Sequence, residues 1–334
     1  MQRPAITAVP TNIITGFLGV GKTTAILHLL KHKPVNERWA VLVNEFGEIG
    51  VDGSLFRGLH AEGSGIFVRE VPGGCMCCTA GLPMQIALNQ LLARARPHRL
   101  LIEPTGLGHP EEVLQSLAAE HYRDVLSIEK TVTLVDARKL ADPRYTGHAT
   151  FNQQIAIADV VVGNKQDLYG PDDKPQLEAF VRARGAAGVI VGYAANGAID
   201  PEWLKGPTAA PSKRHHQHQH QDQTEPTPGE APIPGSGYLQ ASNEGEGYQS
   251  IGWRFDAGQV FDYQKLLTFL TGLEAERMKA AFITDRGVFG YNLTSDSLIE
   301  IPLDDALESR IEIIALQVEA DWEKQLLACR CCSR

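Results

Sequence analysis

Through the first two hundred residues, short runs of β-branched and aliphatic residues alternate with longer stretches whose apolar positions recur at every third or fourth place. The short runs predict strands over 11–15, 40–43, 100–103, 131–135, 159–162 and 189–191, and the longer ones helices over 23–32, 82–95, 110–119 and 175–184. Repeated strand–helix alternation returns each strand to the sheet in the same direction. The expectation is therefore an α/β unit, a mostly parallel sheet with helices on both faces. From 206 to about 247 the periodicity stops. Prolines, a His/Gln run and scattered Gly, Ser and Glu leave too little apolar surface to offset the entropy of ordering, so this stretch reads as a disordered linker. Periodicity resumes at 248 with a predicted strand over 251–255, a helix over 260–273 and a hairpin from 279–284 and 287–293. Strands over 298–301 and 311–315 and a helix over 319–328 follow. The organisation expected is a first domain at 1–205, the linker at 206–247, a smaller α+β domain at 248–328 and a tail at 329–334.

The 334 residues suit two domains at about 150 residues each. Thirty-one Lys and Arg against forty Asp and Glu leave a formal charge of −9, which argues against a protein that coats nucleic acid or an anionic membrane. No apolar run approaches the roughly 20 residues needed to span a bilayer. The start, Met1-Gln2-Arg3-Pro4, lacks the basic stretch and apolar core of a secretory signal, so a soluble cytoplasmic protein is expected.

Between the first predicted strand and helix lies Gly16-Phe17-Leu18-Gly19-Val20-Gly21-Lys22-Thr23, the pattern G-x-x-x-x-G-K-[ST] in the context that it requires. Glycines let successive N–H groups turn inward around a phosphate, and the helix start adds partial positive charge. Lys22 can then reach the β- and γ-phosphates, and the Thr23 hydroxyl can take one position on Mg²⁺. The plain alternative is a Gly-rich turn. Asn164-Lys165-Gln166-Asp167 follows the strand over 159–162. A carboxylate at Asp167 would accept from N1–H and the 2-amino group of guanine, whereas adenine offers it no such donors; after a phosphate loop this favours GTP over ATP. Alone, the tetrapeptide could equally be a capping turn. Glu103-Pro104-Thr105-Gly106 closes the strand over 100–103; Glu103 can hold Mg²⁺ or its waters, and the Gly106 N–H can meet the γ-phosphate. A strand end with a turn is the other reading.

The six cysteines form two clusters, Cys75-Met76-Cys77-Cys78 and Cys329-Arg330-Cys331-Cys332, and four of the eleven histidines are His215, His216, His218 and His220. Clustered thiols outside a small secreted scaffold point to metal or redox chemistry. Cys75, Cys77 and Cys78 can hold one Zn²⁺ and leave a fourth position open, which suits transfer; a redox thiol pair and inert buried cysteines are the alternatives. Glu45 and Glu48, after the second predicted strand, are either oxygen ligands or solvated loop carboxylates. The cluster lies between the two segments that sense the γ-phosphate in nucleotide switches, so metal and nucleotide should be linked. The linker histidines read as weak metal collectors or as spacers. The tail thiols read as a metal relay, a link between protomers or an exposed accident.

The run GFLGVGKTT, NEFGE, GGCMCC, EPTG and NKQD, in this order, resembles the CobW/HypB/UreG family of P-loop GTPases, and within it the CobW-like metallochaperones. The resemblance covers both predicted domains and leaves out the linker and tail. It implies a P-loop NTPase fold and GTP hydrolysis to GDP modulated by zinc. It also implies a phosphate loop over Gly16, Gly19, Val20, Gly21, Lys22, Thr23 and Thr24, a metal motif at Cys75, Cys77 and Cys78, and delivery of zinc to a client protein. For the smaller domain it implies client contact or self-association. The rival readings are a metal store or sensor with a structural nucleotide, and a thiol redox switch. His98 stands where many relatives carry Asp; with Glu103 kept, little effect on Mg²⁺ is expected.

Overall fold

The computed structural model describes residues 5–44, 65–71, 82–108, 110–209, 232–245, 247–294, 297–303 and 305–331. These fold as two compact units, 5–209 and 232–331.

The first unit runs β1 (Val9–Gly16), α1 (Lys22–Lys31), β2 (Trp39–Asn44), β3 (Ile66–Val71), α2 (Leu82–Ala95), β4 (Arg99–Glu103), α3 (Pro110–Leu117), β5 (Leu126–Ile128) and β6 (Val132–Val135). It continues through α4 (Pro143–Thr146), α5 (Ala149–Ala156), β7 (Val160–Gly163), α6 (Asp173–Arg184) and β8 (Ile190–Tyr193). The strands pair in parallel in the order β3-β2-β4-β1-β6-β7-β8, with β5 beside the first half of β1. Alternation along β1 buries both faces. Ile13 joins Leu42, Leu100 and Ile102 against Leu88, Leu91, Val113 and Leu117 of α2 and α3. The register puts Ile14, Val41 and Leu101 on the opposite face, where α1 packs on β1 and β4. From β1 the chain crosses to β2 on one side, while β6 to β8 build the other. The crevice beside the carboxyl end of β1 is thus where such sheets bind ligands. The expected parallel sheet is present. The hydropathy pattern misses β3, a half-buried edge strand carrying Arg69 and Glu70, and β5, only three residues long. It also misses α5, whose buried face includes the amide Gln154. His98, just before β4, accepts the Arg38 N–H on its Nδ1 (2.9 Å) at the end of that strand away from Glu103.

The second unit comprises β9 (Tyr238–Gly245), β10 (Tyr248–Phe255), α7 (Tyr263–Thr271), β11 (Arg277–Thr284), β12 (Gly287–Thr294), β13 (Ser297–Leu303), β14 (Ser309–Ala315) and α8 (Trp322–Ala328). Its antiparallel sheet has the order β13-β12-β11-β14-β10-β9. Trp253, Phe255, Phe282, Tyr291 and Ile313 form the core with Leu266 and Leu270 of α7 and Trp322 and Leu326 of α8. Asp262 caps α7 by accepting the N–H groups of Gln264 and Lys265.

Two boundaries need correction. Residues 238–245, expected within the linker, form β9 along the whole of β10. Tyr238 stacks on Phe255, and Gln240 accepts the Trp253 indole N–H at 3.1 Å. An edge strand needs few apolar residues, so its polar sequence hides it. Cys329, expected in a flexible tail, is buried in the core of this unit. The Asp262 N–H bonds its carbonyl, and the Cys331 N–H bonds the Val260 carbonyl, which fasten the chain end down. Residues 210–231, with His215, His216, His218 and His220, and Cys332 lie outside the described residues. No helix among the described residues is long and apolar enough to cross a membrane.

Candidate functional site

The phosphate loop leaves β1 at Gly16 and enters α1 at Lys22. Gly21 is the N-cap of α1 with φ 96°, and a Cβ there would lie 2.5 Å from Asn164 Nδ2, so only glycine fits. No described side chain caps α1 and its first turn holds no acid, so the positive end of the helix faces the loop. The Phe17 ring is held edge-on by Tyr145 of α4 (4.7 Å), His148 (4.8 Å) and Phe151 of α5 (6.2 Å), which fixes the first turn of the loop. Lys22 is buried, its Nζ donating to the carbonyls of Gly16 (2.9 Å) and Phe17 (3.1 Å). Thr23 Oγ1 donates to Glu103 Oε1 at 2.9 Å; both side chains are buried. A hydroxyl and a carboxylate side by side at a phosphate loop are hard oxygen donors of the kind that Mg²⁺ takes. Gly106 is equally close: a Cβ on it would stand 3.1 Å from Lys22 Nζ and 2.9 Å from Leu18 Cδ2.

The loop after β7 meets the same crevice. Asn164 donates through Nδ2 to the Val20 carbonyl (2.8 Å) and accepts the Gly197 N–H on Oδ1 (3.1 Å), so its carboxamide binds main chain on both sides. Lys165 adopts a left-handed φ of 61° and lies 3.7 Å from Asp136, which Arg138 also pairs at 2.5 Å. Asp167 is exposed on the turn Gln166–Leu168, which the Gln166 N–H ties to the Ala194 carbonyl (3.0 Å). Tyr169 donates to the Asn164 carbonyl (2.6 Å) and accepts the Ala137 N–H (3.0 Å); burial pushes its phenol well above the usual range, so it remains a donor. Asp136, Tyr169 and Gly197 escape sequence reasoning. Only the dipeptide Asn196-Gly197 carries a signal, as a turn.

The CobW/HypB/UreG nucleotide-binding domain matches residues 10–188, a span that runs from the phosphate loop past Tyr169 and stops short of Ala194 and Gly197. The chain belongs to the CobW/HypB/UreG family. Zinc chaperone YeiR of Escherichia coli (strain K12) is 41% identical over 317 residues, 93% of this chain and 94% of that protein. Zinc chaperone CobW of Pseudomonas aeruginosa is 30% identical over 226 residues, 60% of each. The crystal structure of Zn(II)-bound YjiA GTPase from E. coli aligns with 98% of this chain and 100% of its own at 18% identity, with a TM-score of 0.44.

Of the residues expected to carry chemistry in this CobW/HypB/UreG chain, the structure brings together Lys22, Thr23, Glu103 and Gly106, and joins Val20 and Gly21 to Asn164. Thr24 lies beside the Gly197 turn: a Cβ on that glycine would come within 2.8 Å of the Thr24 carbonyl carbon. Glu45, Glu48, Cys75, Cys77 and Cys78 lie outside the described residues. Among the described residues no group of three or more His, Cys, Asp or Glu side chains is placed to hold a metal ion. The expected tail thiol cluster is corrected at Cys329: its Sγ donates to the Gln325 carbonyl (3.3 Å), and burial pushes its pKa up to about 11. A buried protonated thiol is a poor metal ligand. Cys331 is exposed.

Proposed function

We propose that this chain hydrolyses GTP to GDP and phosphate and couples that turnover to the binding of zinc and its delivery to a zinc-requiring client protein. The observation that carries the nucleotide half is the buried Thr23–Glu103 contact of 2.9 Å at the head of an uncapped helix, which joins the phosphate loop to the end of β4. Lys22 then exchanges the carbonyls of its own loop for phosphate oxygens, and the Gly106 N–H meets the γ-phosphate. Thr23 and Glu103 would hold Mg²⁺, which when bound neutralises charge on the β- and γ-phosphates. Asp167 accepts the guanine edge, while Asn164 and Lys165 hold its loop in place. None of these groups is a general base, so positioning and charge stabilisation carry the rate.

The zinc half is supported by two relatives that bear the name zinc chaperone and by the Cys75, Cys77, Cys78 motif, which lies along the sequence between the segment after β2 and the Glu103–Gly106 turn. Three clustered thiolates call for a reducing compartment, so we place the protein in the cytoplasm. The second unit is assigned client contact or self-association.

The test is GTP hydrolysis by metal-free protein with Mg²⁺ present as Zn²⁺ is titrated, beside a Cys75/Cys77/Cys78→Ser variant and Lys22→Ala. Zinc is expected to change wild-type turnover and to leave the Ser variant unmoved, with Lys22→Ala inactive. Turnover that ignores zinc while several zinc ions bind would favour a metal store or sensor. A disulfide within Cys75–Cys78 under mild oxidant, with no response to chelator, would favour a redox switch.

A further inference from the structure

We infer that Gln154 is a positioning residue for this reaction, a buried strut that fixes the turn at Gly106 against the phosphate loop; the inference rests on the GTPase reading above. Gln154 lies on α5 and is completely buried. Its Nε2 donates to the Gly106 carbonyl at 3.0 Å across 48 positions of sequence. Its own main-chain oxygen accepts from Thr133 Oγ1 at 2.8 Å, and Thr133 of β6 pairs with Thr15 of β1, the residue before Gly16. One end of the strut thus stands on the strands that carry the phosphate loop, and the other holds Gly106.

On its far side Gly106 has almost no room. A Cβ there would sit 2.9 Å from Leu18 Cδ2 and 3.1 Å from both the Leu18 nitrogen and Lys22 Nζ. The position therefore demands glycine, the residue with the most backbone freedom to lose, at the point where the γ-phosphate must be sensed. Holding its carbonyl removes that freedom before nucleotide arrives.

Packing alone does not account for an amide here. An apolar side chain of the same length would fill the place without desolvating a polar group. Gln154 Oε1 and Thr105 Oγ1, on the residue before Gly106, are both buried with no hydrogen-bond partner among the described residues. Among the described residues these polar atoms stay uncompensated, and the bond that the amide makes there falls on Gly106.

The strut should matter for the γ-phosphate and not for the rest of the nucleotide. Gln154→Met keeps the length and removes the donor; Gln154→Asn keeps the amide but shortens its reach by one methylene. Affinities of the full chain for GDP and for a non-hydrolysable GTP analogue are measured with Mg²⁺ by nucleotide fluorescence, with kcat for GTP and a thermal melt alongside. In both variants the analogue should weaken about tenfold and kcat should fall by a similar factor, while GDP affinity stays within about twofold. Thr133→Val loosens the footing of the strut on β6 but leaves the carboxamide, and should shift the ratio of the two affinities in the same direction by a smaller factor. Equal weakening of GDP and analogue, or no change in either, would reduce Gln154 to a packing residue and overturn the inference. A larger ratio shift in Thr133→Val than in Gln154→Met would do so too. A variant that fails to melt cooperatively leaves the other to decide. Wild-type protein that binds neither nucleotide would instead sink the GTPase reading itself, and this inference with it.

Discussion

The side-chain nitrogen of Asn164 donates to the main-chain oxygen of Val20 at 2.8 Å, a clasp between residues 144 positions apart. Because the same carboxamide accepts the Gly197 N–H, it holds the phosphate loop, the loop after β7 and the turn after β8 in one piece. The asparagine of the N-K-x-D tetrapeptide is thus committed to main chain on both sides, and the base-reading role is the one proposed above for Asp167.

Asn164→Ala would leave the Val20 carbonyl and the Gly197 N–H without their bond, costing about 2 kcal/mol of stability. Nucleotide affinity should fall about tenfold or more, for GDP and GTP alike, because the loops that it joins are the ones proposed to carry phosphate and base. Titration with both nucleotides and a thermal melt check this; a melt at the wild-type temperature with unchanged affinity would refute the clasp.

Asp167 stands exposed on a short turn whose backbone is tied to Ala194, so its replacement should not disturb the fold. Asp167→Asn exchanges an acceptor for a donor and should move preference from GTP toward xanthosine triphosphate, with a change in the ratio on the order of 10⁴. Competition of the two nucleotides for hydrolysis reads this directly. Retained GTP selectivity would remove Asp167 from the base site.

Glu308 receives Arg254 at 2.7 Å and Arg310 at 2.5 Å. Burial by itself would raise its pKa, but the hydrogen bonds and charges of the two arginines outweigh it and hold the carboxyl below the usual range. A depressed folded pKa means that the contribution is complete above the unfolded value of about 4.3 and is lost as pH falls through the folded one. Glu308→Gln should therefore destabilise the second unit by about 2 kcal/mol at neutral pH, since it removes the carboxylate that both guanidiniums bond. The gap from wild type should close as the pH drops below about 4. Denaturation curves at neutral and acidic pH test this, and a gap independent of pH would contradict it.

Cys329 and Cys331 should differ sharply toward an alkylating reagent. Burial pushes the Cys329 thiol up to about 11 and covers it, while Cys331 is exposed. In native protein near pH 8 the labelling of Cys331 should outpace that of Cys329 by about 10²-fold, with the difference erased in denaturant. Mass spectrometry of labelled peptides would show it. Equal rates in the native state would restore Cys329 to the tail thiol cluster expected from the sequence.

Much of the site is legible before folding because its chemistry is local. A phosphate loop needs its glycines, Lys22 and Thr23 within one turn between a strand and a helix, so contiguous residues carry the whole signal. The same holds for the order of strands and helices, which follows from periodicity and leads to a parallel sheet. Sequence by itself therefore determined the α/β architecture, the phosphate loop and the acids Glu103 and Asp167 at the strand ends.

Only the tertiary structure decided the rest. That Thr23 meets Glu103, that Tyr169 is bound to Asn164, and that Gln154 reaches Gly106 depends on how β1, β4, β6 and β7 lie side by side in the sheet. The spacing of residues along the chain does not encode this. A buried glutamine and a surface glutamine have the same letter, and so do the buried Cys329 and the exposed Cys331. The polar edge strand β9 looks like linker until β10 supplies its hydrogen bonds. In each case the deciding quantity is the environment that distant residues create on packing, because desolvation and hydrogen bonding act in space and not along the sequence.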